Sequence, residues 1–339
     1  MGINFAPWNV SLERRLQTLS AAIFMIIFPL GGPICLLFVT YALLFTQFWW
    51  CCILYLSWMC LIDKNIEERG GRELQFMRSS SYWKYFRNYF PARLNRSPWV
   101  ELKKDKNYLF CCFPHGIISI SSFVMFGNIY GEFNDYFPEH KIKVCTLRQN
   151  FYMPFFRELI LGLGGCSSSK ASIEYLLNRP EGGNAVALIV GGVAESYYAE
   201  PREYKLVLKN RKGFVKIAIK SGSPLVPVLS FGETDIFNQY GGKNTRFKRF
   251  QEEIRKWIGI APVLSYGRGL LQYDFGLIPH RRPITMLVGT PIEVERNEHP
   301  SSQEVDYYHQ LFIKELISLF EKNKHLYLED SQDLHIELV

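Results

Sequence analysis

The sequence lacks the short signatures of a bound metal or nucleotide. It has no His-Glu-x-x-His, no Walker phosphate loop and no dinucleotide fingerprint, so metal and nucleotide cofactors find no support. Gly-x-Ser-x-Gly is absent as well, which argues against a serine hydrolase. The eight cysteines, at positions 35, 51, 52, 60, 111, 112, 145 and 166, include no Cys-x-x-Cys pair, and the first four lie in the most apolar stretch. They read as reduced core residues of a cytosol-facing protein. Basic residues outnumber acidic ones 39 to 32, a net charge of +7, yet no run of five or six cations occurs. Such dispersed charge is no nucleic-acid footprint and suits a membrane surface or an anionic small molecule better.

Charge itself is missing from Leu16 to Ile62, 47 consecutive positions. A bilayer core needs about 20 apolar residues per helix, so the stretch holds two passes or a re-entrant hairpin. The turn falls either at Pro29-Leu30-Gly31-Gly32-Pro33 or near Thr46-Gln47; the second leaves a long first leg and a short return. Arg14 and Arg15 before the stretch, and Lys64, Arg69 and Arg72 after it, place both ends on the cytosolic side. The run is several times longer than a signal-peptide core. Ala6 stands where a myristoylation signal needs Ser or Thr. The expected organisation is a cytosolic segment over 1–15, a membrane hairpin over 16–62 and a cytosolic domain over 63–339.

Beyond Asp63 short apolar runs alternate with helical patterns, the rhythm of an α/β domain. Strands are predicted over Asn107 to Phe113, Ala185 to Val190 and Leu225 to Phe231, and a helix over Gly213 to Lys220 with Gly222 as its C-cap. An apolar segment from Ile117 to Ile129 also resembles a helix. All three strands stop at glycine and polar residues, and in open α/β sheets chemistry gathers outside the carboxyl ends of strands. That rule selects His115 and Glu195. Pro114 fixes the entry to the turn at His115, and Gly116 lets a backbone amide approach a ligand closely. Imidazole is the side chain suited to taking a proton from a hydroxyl near neutral pH. The other six histidines, His140, His280, His299, His309, His325 and His335, fall in segments that read as loop or solvated helix. Glu195 follows Gly191-Gly192, where a carboxylate also serves as a cap or a solvated side chain. Cys111 and Cys112 could suggest a thiol nucleophile, but their strand position favours core packing.

These residues carry a resemblance to the type 2 diacylglycerol acyltransferase family, which includes monoacylglycerol and wax-alcohol acyltransferases, over nearly the whole chain. The matching segments are Glu13-Arg14-Arg15-Leu16-Gln17-Thr18-Leu19, Tyr89-Phe90-Pro91, Gly191-Gly192-Val193-Ala194-Glu195, Arg211-Lys212-Gly213-Phe214-Val215-Lys216, Pro224-Leu225-Val226-Pro227-Val228 with Ser230-Phe231-Gly232-Glu233, and Gly267-Arg268-Gly269 through Phe275-Gly276-Leu277 to Arg281-Arg282-Pro283-Ile284-Thr285. The family's His-Pro-His-Gly appears as Phe113-Pro114-His115-Gly116, so an active protein here does without the first histidine. The His-x4-Asp of more distant glycerol-phosphate acyltransferases is also absent, since Ile120 stands five beyond His115.

The resemblance implies a glycerolipid-acyltransferase-like α/β domain with a mixed sheet behind the hairpin, on the endoplasmic reticulum membrane or lipid droplets, with a homo-oligomer left open. It implies direct transfer from acyl-CoA, a substrate and not a cofactor, to diacylglycerol, with monoacylglycerol or fatty alcohol as the alternative acceptor. His115 is then the general base, and Glu195 is expected to orient or polarise it across the sheet. The Gly116 amide is the expected oxyanion donor. Arg211, Lys212 and Lys216, at the start of a helix, are expected to meet the coenzyme A phosphates. A non-catalytic neutral-lipid-binding protein is the competing class.

Overall fold

A computed structural model describes residues 3–98, 100–240 and 263–339, together with 246, 250, 251, 253, 254 and 257. Its centre is a seven-stranded mixed sheet in the order β1-β10-β7-β2-β5-β3-β4. These strands are β1 (Arg93–Arg96), β2 (Tyr108–Phe113), β3 (Lys141–Thr146), β4 (Gly165–Ser167), β5 (Asn184–Ile189), β7 (Leu225–Phe231) and β10 (Thr285–Val288). Short pairs β6 (Tyr204–Leu206) with β11 (Ile336–Leu338) and β8 (Asn238–Gln239) with β9 (Ser265–Tyr266) lie outside it. All three sequence-predicted strands are present. They form the parallel centre, with β2 between β5 and β7, while β10 pairs antiparallel with β7.

Every residue of β2 is buried, as expected of a parallel strand covered on both faces. Phe110 and Cys112 face a layer containing Phe24, Phe86 and Val124, from α1 (Leu12–Phe45), α4 (Ser81–Tyr89) and α5 (Ile120–Phe126). Leu109, Cys111 and Phe113 face the other layer, which includes Phe214 of α9 (Gly213–Ser221) and Phe312 of α10 (Ser302–Tyr327). Smaller helices α3 (Gln75–Arg78), α6 (Phe133–Tyr136), α7 (Phe156–Gly162) and α8 (Lys170–Leu177) complete the wrapping. Gly222 takes the left-handed C-cap conformation that the sequence predicts, at φ 68°.

The apolar N-terminal stretch resolves its own turn. α1 runs 34 residues straight through Pro29 and Pro33 and ends at Thr46, whose Oγ1 donates to the Ala42 carbonyl at 2.8 Å. The return leg is α2 (Trp49–Ser57) and a π-helical turn over Trp58–Ile62, together about 21 Å of rise. That is short of a bilayer core of about 30 Å. Ala21 and Phe24 are fully buried, and Phe24 stacks on Phe86 at 4.5 Å, so the first turns of α1 pack against the α/β domain. Beyond them Leu30, Ile34, Leu37, Tyr41, Leu44 and Phe45 are exposed. Gly31 and Gly32 let α1 lie close against the α7 region: a Cβ at Gly31 would stand 2.9 Å from the Phe156 ring.

The base of the hairpin is tied down by charge. Arg157, 2% exposed, donates to Asp63 at 2.8 Å and to Glu158 at 2.9 Å. Arg72 reaches Asp63 at 2.5 Å and also pairs with Glu158, and the Tyr55 hydroxyl donates to Glu158 at 3.1 Å.

Candidate active site

β2, β5 and β7 are adjacent and parallel, so their carboxyl ends open side by side. His115 lies two residues past β2, Glu195 lies in the 3-10 turn Gly192–Tyr198 after β5, and Glu233 opens the turn Glu233–Ile236 after β7. The strand-end rule therefore brings together the two residues it selected, and a third.

Glu195, expected to orient or polarise His115, reaches its main chain rather than its imidazole. Its Oε2 accepts the backbone amide of His115 at 2.6 Å, and its Oε1 accepts that of Val207 at 2.8 Å. The carboxylate thus fixes where the main chain carries the ring. Gly191 makes this possible, since a Cβ there would sit 2.3 Å from Glu195 Oε1. Burial pushes the Glu195 carboxyl up to about 7, against the two amides and the Arg211 charge, which act to lower it.

The ring's own partner is Ser196. His115 Nδ1 lies 3.1 Å from Ser196 Oγ and 3.1 Å from the Gly116 carbonyl, while Ser196 Oγ lies 3.2 Å from the Ile117 carbonyl. If the serine hydroxyl donates to Ile117, both neighbours of Nδ1 are acceptors. The tautomer inferred from that network carries its proton on Nδ1 and leaves the Nε2 lone pair bare. Burial lowers the His115 pKa from its usual 6.5, offset in part by the Gly116 carbonyl. The ring is therefore neutral, a base, at neutral pH.

Glu233 holds the next segment of chain. Its Oε1 and Oε2 accept the amides of Ile120 and Ser121 at 2.9 and 2.8 Å, and burial pushes its carboxyl up to about 7. It also explains Gly116: a Cβ at that position, where φ is 60°, would lie 2.6 Å from Glu233 Oε1. Among the described residues no group accepts the Gly116 amide. The two carboxylates thus frame the turn from either side, one on the amide before the ring and one on the helix after it.

Pro114 enters through a cis peptide bond after Phe113. The Phe113 side chain is fully buried and packs 6.2 Å from the Phe312 ring. Position 113 therefore faces the hydrophobic layer rather than the site. The basic trio is exposed, and Lys212 is already paired with Asp306 at 2.6 Å; Arg211 is near enough to act on Glu195. Tyr89 and Phe90 are fully buried and hold the approach to β10: the Tyr89 hydroxyl donates to the Pro279 carbonyl at 2.6 Å, and the Phe90 carbonyl accepts the Ile284 amide at 3.1 Å. With Pro91 they form no contact with His115 among the described residues.

His309 departs from the expected solvated helix, and His140, in a loop as expected, is nonetheless buried. His309 is fully buried because its spacing from Val305, Phe312, Ile313 and Leu316 puts it on the inner face of α10. His140, 4% exposed, has Nε2 at 3.2 Å from the Lys103 carbonyl. Cys111 and Cys112 are buried and their thiols are pushed up by desolvation, which makes them core residues. A polar cavity of about 410 Å³, lined by Lys104, Lys141, Arg179 and Asn184 among others, opens where β3 and β5 begin, at the opposite edge from His115.

The chain is similar to known proteins over most of its length. Residues 41–338 match the family model described as diacylglycerol acyltransferase. Diacylglycerol O-acyltransferase 2 of Dictyostelium discoideum is 40% identical over 323 residues, 95% of this chain and 96% of that protein. 2-Acylglycerol O-acyltransferase 1 of Bos taurus is 37% identical, with 96% of this chain and 97% of that protein covered. Among solved structures, the 1-acyl-sn-glycerophosphate acyltransferase of Thermotoga maritima aligns over 89% of this chain and 95% of that one, at 13% identity and a TM-score of 0.40, a likeness too distant to argue from.

Proposed function

Because this chain belongs to the diacylglycerol acyltransferase family, we propose that it esterifies diacylglycerol from acyl-CoA, with His115 as general base. The observation that carries the chemical part is His115 Nδ1 at 3.1 Å from both Ser196 Oγ and the Gly116 carbonyl, with no partner on Nε2 among the described residues. The acceptor hydroxyl gives its proton to Nε2 as its oxygen attacks the thioester carbon. The C–S bond then breaks, and the imidazolium returns the proton to the departing thiolate. No acyl-enzyme forms. The tetrahedral oxyanion takes a hydrogen bond from the Gly116 amide, held in place by Glu233 behind the turn.

Arg211, Lys212 and Lys216 flank the start of α9 and meet a coenzyme A phosphate, Lys212 exchanging Asp306 for it, a reading supported by their exposure at a helix start. The exposed apolar length of α1 and the short return leg enter the cytosolic leaflet of the endoplasmic reticulum or a lipid droplet. They hold the site at the depth where an acylglycerol hydroxyl lies.

The test is incorporation of labelled acyl-CoA into neutral lipid by membranes expressing the chain, supplied in turn with diacylglycerol, monoacylglycerol and fatty alcohol. Triacylglycerol as the dominant product is expected. Dominant diacylglycerol or wax ester would move the acceptor within the family, and no product from any acceptor would leave a lipid-binding role.

A further inference from the structure

Four segments that carry the family likeness take no part in the chemistry at His115, and they meet in one place. Tyr89, from Tyr-Phe-Pro, lies fully buried with the Arg281 guanidinium 4.4 Å from its ring centroid. Arg281, from Arg-Arg-Pro, donates to Gln17 Oε1 at 2.5 Å and lies 3.4 Å from the Arg14 carbonyl, which ties it to the start of α1. Arg268, from Gly-Arg-Gly, is 6% exposed, sits 4.3 Å over the Tyr273 ring and gives its Nε to the Gly269 carbonyl. Arg14 belongs to the opening Glu-Arg-Arg segment.

The cluster has no internal counter-charge. Among the described residues no carboxylate forms an ion pair with Arg14, Arg268 or Arg281, and the buried Nε of Arg281 donates to nothing. Burial, and the charges of Arg14 and Arg268, hold the Arg281 guanidinium below its usual range. A desolvated cation held only by neutral groups lacks the counter-charge that repays its burial, whereas at the hairpin base each guanidinium has its carboxylates. Guanidinium groups are the side chains suited to the oxygens of a phosphate.

Its position also bears on the reaction. Arg281 lies just before β10, whose Thr285 pairs with Phe231 at the carboxyl end of β7, so the cluster sits at the same edge of the sheet as His115. β10 is two strands from β2, roughly 10 Å at the usual interstrand spacing.

Resting on the acyl-CoA reading above, we propose that Arg14, Arg268 and Arg281 form a phosphate-binding subsite, carried on Tyr89, that holds nucleotide phosphates of acyl-CoA while its thioester lies at His115. A phospholipid headgroup presents the same chemistry, and the measurement separates the two. Equilibrium binding of coenzyme A to the full-length chain in neutral detergent is compared with that of Arg14→Gln and Arg268→Gln. Arg281 is left in place because it anchors α1, and Arg14 is exposed, so its replacement leaves the fold intact.

Each substitution is expected to weaken coenzyme A binding roughly tenfold, as loss of a charge-assisted hydrogen bond does. The midpoint of thermal unfolding should stay unchanged in Arg14→Gln. His115→Ala should bind coenzyme A as the parent does, so failure of the transfer chemistry and failure of this subsite are distinguishable. Unchanged coenzyme A binding with weakened binding of a short-chain phosphatidic acid in the same detergent would keep the phosphate chemistry and overturn the acyl-CoA assignment. No change in either measurement overturns the subsite.

Discussion

The base of the hairpin and the carboxyl edge of the sheet both bury ionisable groups, and they treat them in opposite ways. At the hairpin base Arg157 and Arg72 share Asp63 and Glu158, and Tyr55 donates to Glu158. At the sheet edge the carboxylates of Glu195 and Glu233 accept from backbone amides and have no cation paired to them among the described residues, while the His115 ring has one nitrogen engaged and, among the same residues, one without a partner. A closed set of partners fixes geometry. An open one, held rigidly by closed neighbours, is where a substrate proton can go.

The contrast can be broken most severely at the hairpin. Arg157→Ala leaves Asp63 and Glu158 with Arg72 as their remaining cation and empties the most buried place in the network, so the loss should be at or below the about 3–5 kcal/mol of a fully broken buried pair. The hairpin should come away from α7, seen as faster proteolysis after Asp63 in otherwise folded protein; a cleavage pattern like the parent's would mean that the network is not what docks it.

A smaller effect is expected at Glu195. Glu195→Gln keeps the shape but turns one acceptor into a donor facing a backbone amide, at about 1–3 kcal/mol. It should lower kcat more than it changes acyl-CoA KM, because the ring is misplaced rather than unbound. The same variant carries a pH signature. The folded carboxyl titrates near 7, above its ordinary 4.5, so its contribution to stability is full below about pH 4.5 and is lost as pH rises through 7. Melting temperature should therefore fall less steeply over that window in Glu195→Gln, and parallel curves would contradict the assignment.

The smallest effect belongs to Ser196→Ala, since the Gly116 carbonyl still accepts from Nδ1. A loss of about 1 kcal/mol in the transfer barrier is expected. The acid limb of the rate profile should stay below the ordinary imidazole value of 6.5, because burial is the larger cause of the depression. Ser196→Thr, which keeps a hydroxyl, should recover most of the rate. If it does no better than alanine, the serine matters for packing alone.

Much of this edge was legible in the sequence, because apolar runs that stop at glycine mark parallel strands whatever lies around them. That pattern found β2, β5 and β7, and through them His115 and Glu195. What each carboxylate would hold was not legible: Glu195 sits 80 residues from the amide it accepts, and only Gly191 beside it permits the fold-back. Ser196 went unnoticed although it adjoins Glu195, since adjacency says nothing about which side chain turns toward the ring. Glu233 was within reach, as the same strand-end rule applies to it. The Pro29-Leu30-Gly31-Gly32-Pro33 segment reads as a breaker from composition, yet the helix runs whole through it, with Gly31 and Gly32 packed against Met153 and Phe156. Burial of His309 could have been found from the helical spacing of Val305, Phe312 and Leu316.

Acyl transfer by membranes containing His115→Ala, set against the parent at equal expression and equal membrane insertion, tests the central claim most directly. General-base catalysis typically contributes about 100- to 10,000-fold, and a fall of that size with coenzyme A binding retained is the result expected here. Transfer within a few-fold of the parent would contradict it.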